Sequence, residues 1–260
     1  MSKKGIMQAD NGVYEGVDPA VRIRTKKMLI WMIIFAIVML FAGLTSAYIV
    51  SSMGDYWVHI ESPKALWWSN AIIVLSSLPM YLAFTAMKKG QKQQSIIMLT
   101  ITLFMGIGFT VAQYQGWEDL KAKGMGVSLF ETDMGVKSQW NNIDRITGEY
   151  GVDYYVVQDG KELIYNKGEF YAPDDVLMAA PVTGDVKRMS NSSGALVWVL
   201  IAVHVLHLVF GLIYLVVNII RSSTGVIHQK DTIRLYANGM YWHFLGILWV
   251  YLFAFLFIIH

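Results

Sequence analysis

Three histidines lie in stretches of sequence that carry no Asp, Glu, Lys or Arg: His204 and His207 between Leu196 and Ile220, and His243 between Leu235 and Ile259. Neutral imidazole is the usual haem or metal ligand, and ionisable side chains inside a bilayer tend to be functional. Spacing weighs against a shared iron. His204, His207, Gly211, Tyr214 and Asn218 follow one another at intervals of 3, 4, 3 and 4, which keeps them on one helical face, so the two histidines cannot supply opposite axial positions to one haem. Measured from the connection between the two stretches at about 1.5 Å per helical residue, His243 lies about 12 Å along, His207 about 20 Å and His204 about 24 Å. The three earlier apolar stretches contain no histidine to complete a pair. Two readings stay open: haem ligation in a membrane electron carrier of the cytochrome b type, or rings hydrogen-bonded to a neighbouring helix, a lipid headgroup or water. Level and face favour the second.

Other chemistries are missing their residues. The absence of Cys removes disulfides, thiolate zinc sites, iron–sulfur clusters and cysteine nucleophiles. No carboxylate falls in any apolar stretch, so the chain alone lacks an Asp/Glu proton relay or an intramembrane acid–base pair. No phosphate-binding glycine loop, His-Glu-x-x-His or nucleophile elbow occurs. The 15 Met form no tight cluster with His and read as adaptable packing. A small-solute transporter would need a charged substrate site that the sequence does not supply.

The elements that must hold these residues are membrane helices. At 260 residues, 55% hydrophobic and 15% charged, with a mean hydropathy of +0.44, the chain is too apolar for a water-soluble domain. Its net charge of +2 gives no footprint for nucleic acid. Five charge-free runs, Met28–Val50, Leu66–Met87, Ser95–Gln113, Leu196–Ile220 and Leu235–Ile259, are long enough to cross about 30 Å of hydrocarbon as helices. Pro79 within the second is expected to kink it. The spacing divides the chain into an N-terminal segment 1–27, helices 1–3 over 28–113, a polar insertion 114–195 and helices 4–5 over 196–260.

Twelve basic residues fall on one side: Lys3, Lys4, Arg22, Arg24, Lys26, Lys27, Lys88, Lys89, Lys92, Arg221, Lys230 and Arg234. The short loop 51–65 opposite holds only Lys64. The positive-inside rule then places the N-terminus in the cytoplasm and the C-terminus and insertion outside, with the first helix uncleaved. Tyr48, Trp57, Trp67, Trp68, Tyr114 and Trp117 are expected as an aromatic belt at the outer helix ends. Between Glu118 and Arg188 the insertion has 13 acidic and eight basic residues, net −5. Tyr154–Val157 and Glu162–Tyr165, joined through Asp159-Gly160, predict a β-hairpin in a small ordered subdomain.

These positions also carry a likeness. Val38-Met39-Leu40-Phe41-Ala42-Gly43-Leu44 with Ser46-Ala47-Tyr48, then Trp117, Leu120 and Gly124, then His204, His207 and Gly211, then Tyr241-Trp242-His243-Phe244 with Trp249, resemble in order the signatures of subunit III of haem–copper cytochrome c oxidases, in the bacterial five-helix form. The resemblance implies an accessory subunit of the bacterial plasma membrane. It would pack on subunit I beside the other oxidase subunits, hold phospholipid and support proton uptake and stability. It would have no redox centre of its own, haem and copper lying on the partner subunits. His204, His207 and His243, with Tyr214, Asn218 and Trp242, would then be lipid or structural polar anchors with no catalytic role. Three features depart from the family pattern. Ala36 and Ile37 stand where it has a Ser-Glu pair with an intramembrane carboxylate; Val205 and Gly246 replace a Gly and an Asp; and the insertion is far longer than the family loop. Residues 125–190 are expected to dock a partner: another oxidase subunit, a cytochrome c domain or an adjoining respiratory complex.

Overall fold

The structure is a computed structural model that describes residues 19–53, 56–123, 127–128, 137–138, 143, 146–188, 193–229 and 232–259. The expected N-terminal segment up to residue 18, Gly124 and Lys230 lie outside the described residues. The apolar runs form five long helices: α1 (Pro19–Ser52), α2 (Lys64–Lys88), α3 (Lys92–Ala122), α5 (Ser193–Ser223) and α6 (Ile233–Ala254), the last continuing as a π-helical turn over Phe255–Ile259. All five are long and apolar enough to cross a membrane, and the protein is an all-α membrane bundle. Pro79 sits inside α2, which runs on to Lys88.

Helices α2 and α3 form the most extensive pair; α6 packs on α2 and α5, α5 on α3, and α1 lies along α5 and α6. Only one side of α1 is covered. Trp31, Met32, Phe35 and Met39 point outward, as expected of a face that meets lipid or another chain. Ser76 and Thr102 inside the bundle bond within their own helices, Ser76 Oγ to Ile73 O (2.6 Å) and Thr102 Oγ1 to Met98 O (2.9 Å), and so can line tight seams. At Gly106 on α3 a Cβ would lie 2.7 Å from the Trp242 ring of α6 and 2.9 Å from Leu212 of α5; only glycine lets the three helices converge there. Side chain to side chain, Trp242 Nε1–H donates to Ser76 Oγ (3.0 Å) and Gln113 Nε2–H to Ser69 Oγ (2.7 Å) across the interior.

At one end of the bundle the connections build a small β structure. The expected hairpin is present: β4 (Tyr154–Gln158) pairs with β5 (Lys161–Glu162), Gln158 opposite Lys161. Positive φ at Asp159 (50°) and Gly160 (75°) makes the turn a type I′ turn, whose twist suits paired strands. The expected second strand is shorter than Glu162–Tyr165, because Ile164–Asn166 (β6) turns through Lys167-Gly168 to pair with β7 (Glu169–Tyr171). Tyr150 ties the two hairpins, its OH donating to Leu163 O (2.7 Å) and its ring meeting Tyr154, Tyr165 and Phe170. A two-residue ladder, β2 (Val127–Ser128) with β3 (Lys137–Ser138), lies against α5, and a short α4 (Thr183–Arg188) packs on β7.

The reading of 51–65 as a plain loop is corrected. Trp57–Ile60 is a fully buried strand, β1, on the outer edge of β4, giving a β1-β4-β5 sheet. Trp57 and Tyr48 are therefore not belt residues: both are buried, in edge contact, with Trp57 Nε1–H donating to Tyr48 OH (3.3 Å). Trp67, Trp68 and Tyr114 are exposed as a belt requires, whereas Trp117 packs edge-on against Trp198.

Helix α3 overshoots its apolar run by nine residues and carries Lys123 to Asp153, a partly buried ion pair that fixes the sheet to the bundle. The Lys123 ammonium, followed by the Glu149 N–H, lowers the Asp153 pKa. A carboxyl whose folded pKa is depressed adds stability at pH values above its unfolded pKa and loses it as pH falls through the folded value. Amide exchange of 148–158, corrected for intrinsic rate, should therefore lose protection below about pH 4, and Asp153→Asn should remove that acid-dependent step.

Candidate functional site

The fold places a cleft between α1, α5 and α6, at the end of the bundle opposite the sheet. Its mouth, about 230 Å³, is bounded by Lys26 and Leu29 on α1, Tyr214 on α5, and Ile233 and Arg234 on α6. Ile30, Tyr214 and Ala237 are shared with a deeper apolar groove of about 510 Å³ that reaches Ile33, Ala36 and Ile37 on one wall and His207, Phe210 and Tyr241 on the other. The sequence accounts for this shape. Ile30, Ile33 and Ile37 recur at helical spacing above Lys26, so one stripe of α1 supplies both the cation and the greasy wall.

The polar groups of the groove are held by backbone. His207 Nδ1 lies 2.7 Å from Val203 O; a carbonyl can only accept, so Nδ1 carries the hydrogen. Tyr241 OH donates to His207 O (3.0 Å) and Tyr214 OH to Arg234 O (3.2 Å), pinning α5 to α6 on both sides of the groove. Lys27 Nζ sits 5.2 Å from the Tyr236 ring centroid, adding a third cation near the mouth to Lys26 and Arg234. A cationic rim opening into an apolar channel at membrane depth is suited to an amphiphile with an anionic head.

Of the six residues expected as anchors, the structure brings His207 and Tyr214 to this cleft. His204 is buried elsewhere, between Phe109 of α3 (6.5 Å) and Trp249 of α6 (5.0 Å). Three residues along a helix amount to about 60° of rotation, enough for His207 to face Phe41 of α1 (6.0 Å) while His204 faces the interior. Trp242 is an interior strut on Ser76 and Gly106, Asn218 is wholly buried one turn beyond Tyr214, and His243 is half-buried beside Trp242. Lys26, Arg234 and Tyr241 were missed as site residues: the two cations entered only as topology markers, although the Lys26–Ile30 spacing could have flagged the first. Ile37, where the resemblance implies a carboxylate, is a buried wall of the groove. Among the described residues no three His, Cys, Asp or Glu side chains gather as metal ligands do.

No family model matches the chain. Local similarity joins it to curated proteins, among them the following three. Cytochrome c oxidase subunit 3 of Alkalihalophilus pseudofirmus is 34% identical over 55 residues, 21% of this chain and 27% of that protein. Cytochrome bo(3) ubiquinol oxidase subunit 3 of Buchnera aphidicola is 38% identical over 61 residues, 24% and 31% of the two chains. Cytochrome c oxidase subunit 3 of Bacillus subtilis is 28% identical over 65 residues, 25% and 31%. The chain thus spans between a quarter and a third of the length of the curated relatives it matches, and all of their names point to subunit 3 of a terminal oxidase.

Proposed function

We propose that this chain is the subunit III component of a haem–copper terminal oxidase, an accessory subunit that packs on the catalytic subunit, binds phospholipid, and supports proton uptake and stability there without a redox centre of its own. The observation that carries the reading is the local similarity to subunit 3 of both a cytochrome c oxidase and a ubiquinol oxidase, on a chain that folds as five membrane helices. The divergence of the histidines supports an accessory role: His204 is enclosed by aromatic rings and His207 is tied to Val203. The charge pattern supports a bacterial plasma-membrane protein with the basic end of the bundle in the cytoplasm and the sheet outside, where the insertion docks a partner.

The cleft supports a bound anionic phospholipid of the cytoplasmic leaflet, its headgroup at Lys26 and Arg234 and a chain along Ile33, Ile37 and Phe210. Each basic residue near such a surface contributes about 1 kcal/mol. The double variant Lys26→Gln, Arg234→Gln should therefore lower affinity for anionic lipid about 30-fold, read as anionic phospholipid retained per chain by native mass spectrometry; unchanged retention would contradict the assignment.

A reduced-minus-oxidised spectrum of the purified chain tests the accessory role. A featureless spectrum is expected; a stoichiometric haem band would make the protein a cytochrome b-type carrier instead.

A further inference from the structure

Among the described residues of the β structure, an unbroken apolar run is exposed. Val176-Leu177-Met178-Ala179-Ala180-Pro181 has no polar side chain, and all six residues are exposed, Val176 at 81% and Leu177 at 88%. An uninterrupted exposed run of this kind is a liability in a water-facing segment unless something binds it. The loop is also built. Asp175 Oδ2 accepts the Ala180 N–H (2.8 Å), Met178 N–H donates to Asp175 O (3.0 Å), and Val182 N–H donates to Phe170 O (2.8 Å), fastening the loop to β7. Asn166 Nδ2 meets Met178 Sδ (2.9 Å) from the neighbouring strand. The backbone is therefore fixed before any partner arrives, which lowers the ordering cost of binding.

The surrounding charge selects the occupant. Between Ile146 and Arg188 there are eight acidic and four basic residues, with Asp174 and Asp175 immediately before the apolar run. A lipid surface fits poorly, because ionised carboxylates adjoining Leu177 would have to follow it into the interface. Backbone amides, Ala180 first among them, keep Asp175 in its charged form by lowering its pKa. A second copy of this chain fits no better, since a symmetric contact would set two acidic rims against each other. We infer that Val176 and Leu177 are the apolar anchor by which this segment docks a different protein, one whose facing surface is an apolar socket rimmed by Lys and Arg. The inference rests on the proposed reading of the segment as a water-facing docking element of an oxidase subunit.

The test uses the full-length chain in its native membranes, with the photocrosslinking residue benzoylphenylalanine in place of Leu177. The expected result is an ultraviolet-dependent adduct to one protein other than this chain, with basic residues flanking the crosslinked peptide. Yield should fall about ten-fold or more when Val176→Asp is added, and no adduct should form from the same probe at Lys167. Because Val176 is exposed, Val176→Asp should leave amide exchange over 154–171 unchanged, so loss of the adduct will report docking and not unfolding. Adducts to lipid, to a second copy, or to nothing would overturn the inference. Recovery of a haem–copper subunit with the chain, but no adduct, would reject the docking and leave the proposed function standing. An adduct without any haem–copper subunit would do the reverse.

Discussion

Replacing Trp242 by alanine should cost the bundle about 3–5 kcal/mol, the range for emptying a large aromatic site in a packed core. Trp242 is 1% exposed and is the piece on which three helices converge: its ring lies over Gly106 of α3 and its Nε1–H donates to Ser76 of α2. Removing it leaves a cavity and also strips Ser76 Oγ of a donor. The measurement is the midpoint of unfolding of the purified protein in mixed detergent on titration with dodecyl sulfate. Trp31→Ala on the outward face of α1, where the indole is 59% exposed, should move that midpoint little. Similar shifts for the two variants would show that the seam at Gly106 is not the keystone of the fold.

Val156→Asp should have a comparable free-energy effect, confined to the sheet. Val156 is 1% exposed at the centre of β4, its N–H directed to Tyr150 OH (3.3 Å) and its carbonyl accepting from Leu163 (2.9 Å). A carboxylate there would be buried without a counter-charge, a penalty of about 3–5 kcal/mol. The β structure is joined to the helices through β1, the end of α3 and the Lys123–Asp153 pair, so it can open while the bundle stays folded. Hydrogen exchange should rise over 57–60 and 154–171 and stay unchanged over 64–113. Loss of protection across the helices would mean that the sheet and bundle fold as one unit.

The membrane part of this architecture could be read from the sequence because its cause is local. A run of apolar residues without charge has one outcome in hydrocarbon, and all five runs are helices. Their ends were not readable in the same way. Absence of charge marks the bilayer and not the helix, so α1 begins at Pro19, upstream of Lys26 and Lys27, and α3 carries Glu118, Asp119 and Lys121 beyond its apolar run. The Asp159-Gly160 hairpin was legible because its turn chemistry lies within two residues. Strand β1 was not, since its partner β4 lies about a hundred residues away in sequence and four residues between two helices are too few to carry a period of their own. The cleft was hidden for the same reason: its cations, Lys26 and Arg234, belong to the first and last helices and meet only once α5 lies between them. The histidine stripe was too coarse, because 60° of rotation sends His204 inward and His207 toward α1.

The central claim is that this chain serves a metal-bearing neighbour and holds no redox metal itself. The most direct measurement is a native pull-down of the full-length chain in mild detergent, with haem and copper quantified per chain before and after the partners are stripped away. The account predicts equimolar recovery of a haem- and copper-containing subunit, with all of the metal leaving alongside it. Recovery of the chain without such a subunit, or haem that stays with the stripped chain in stoichiometric amount, would contradict it.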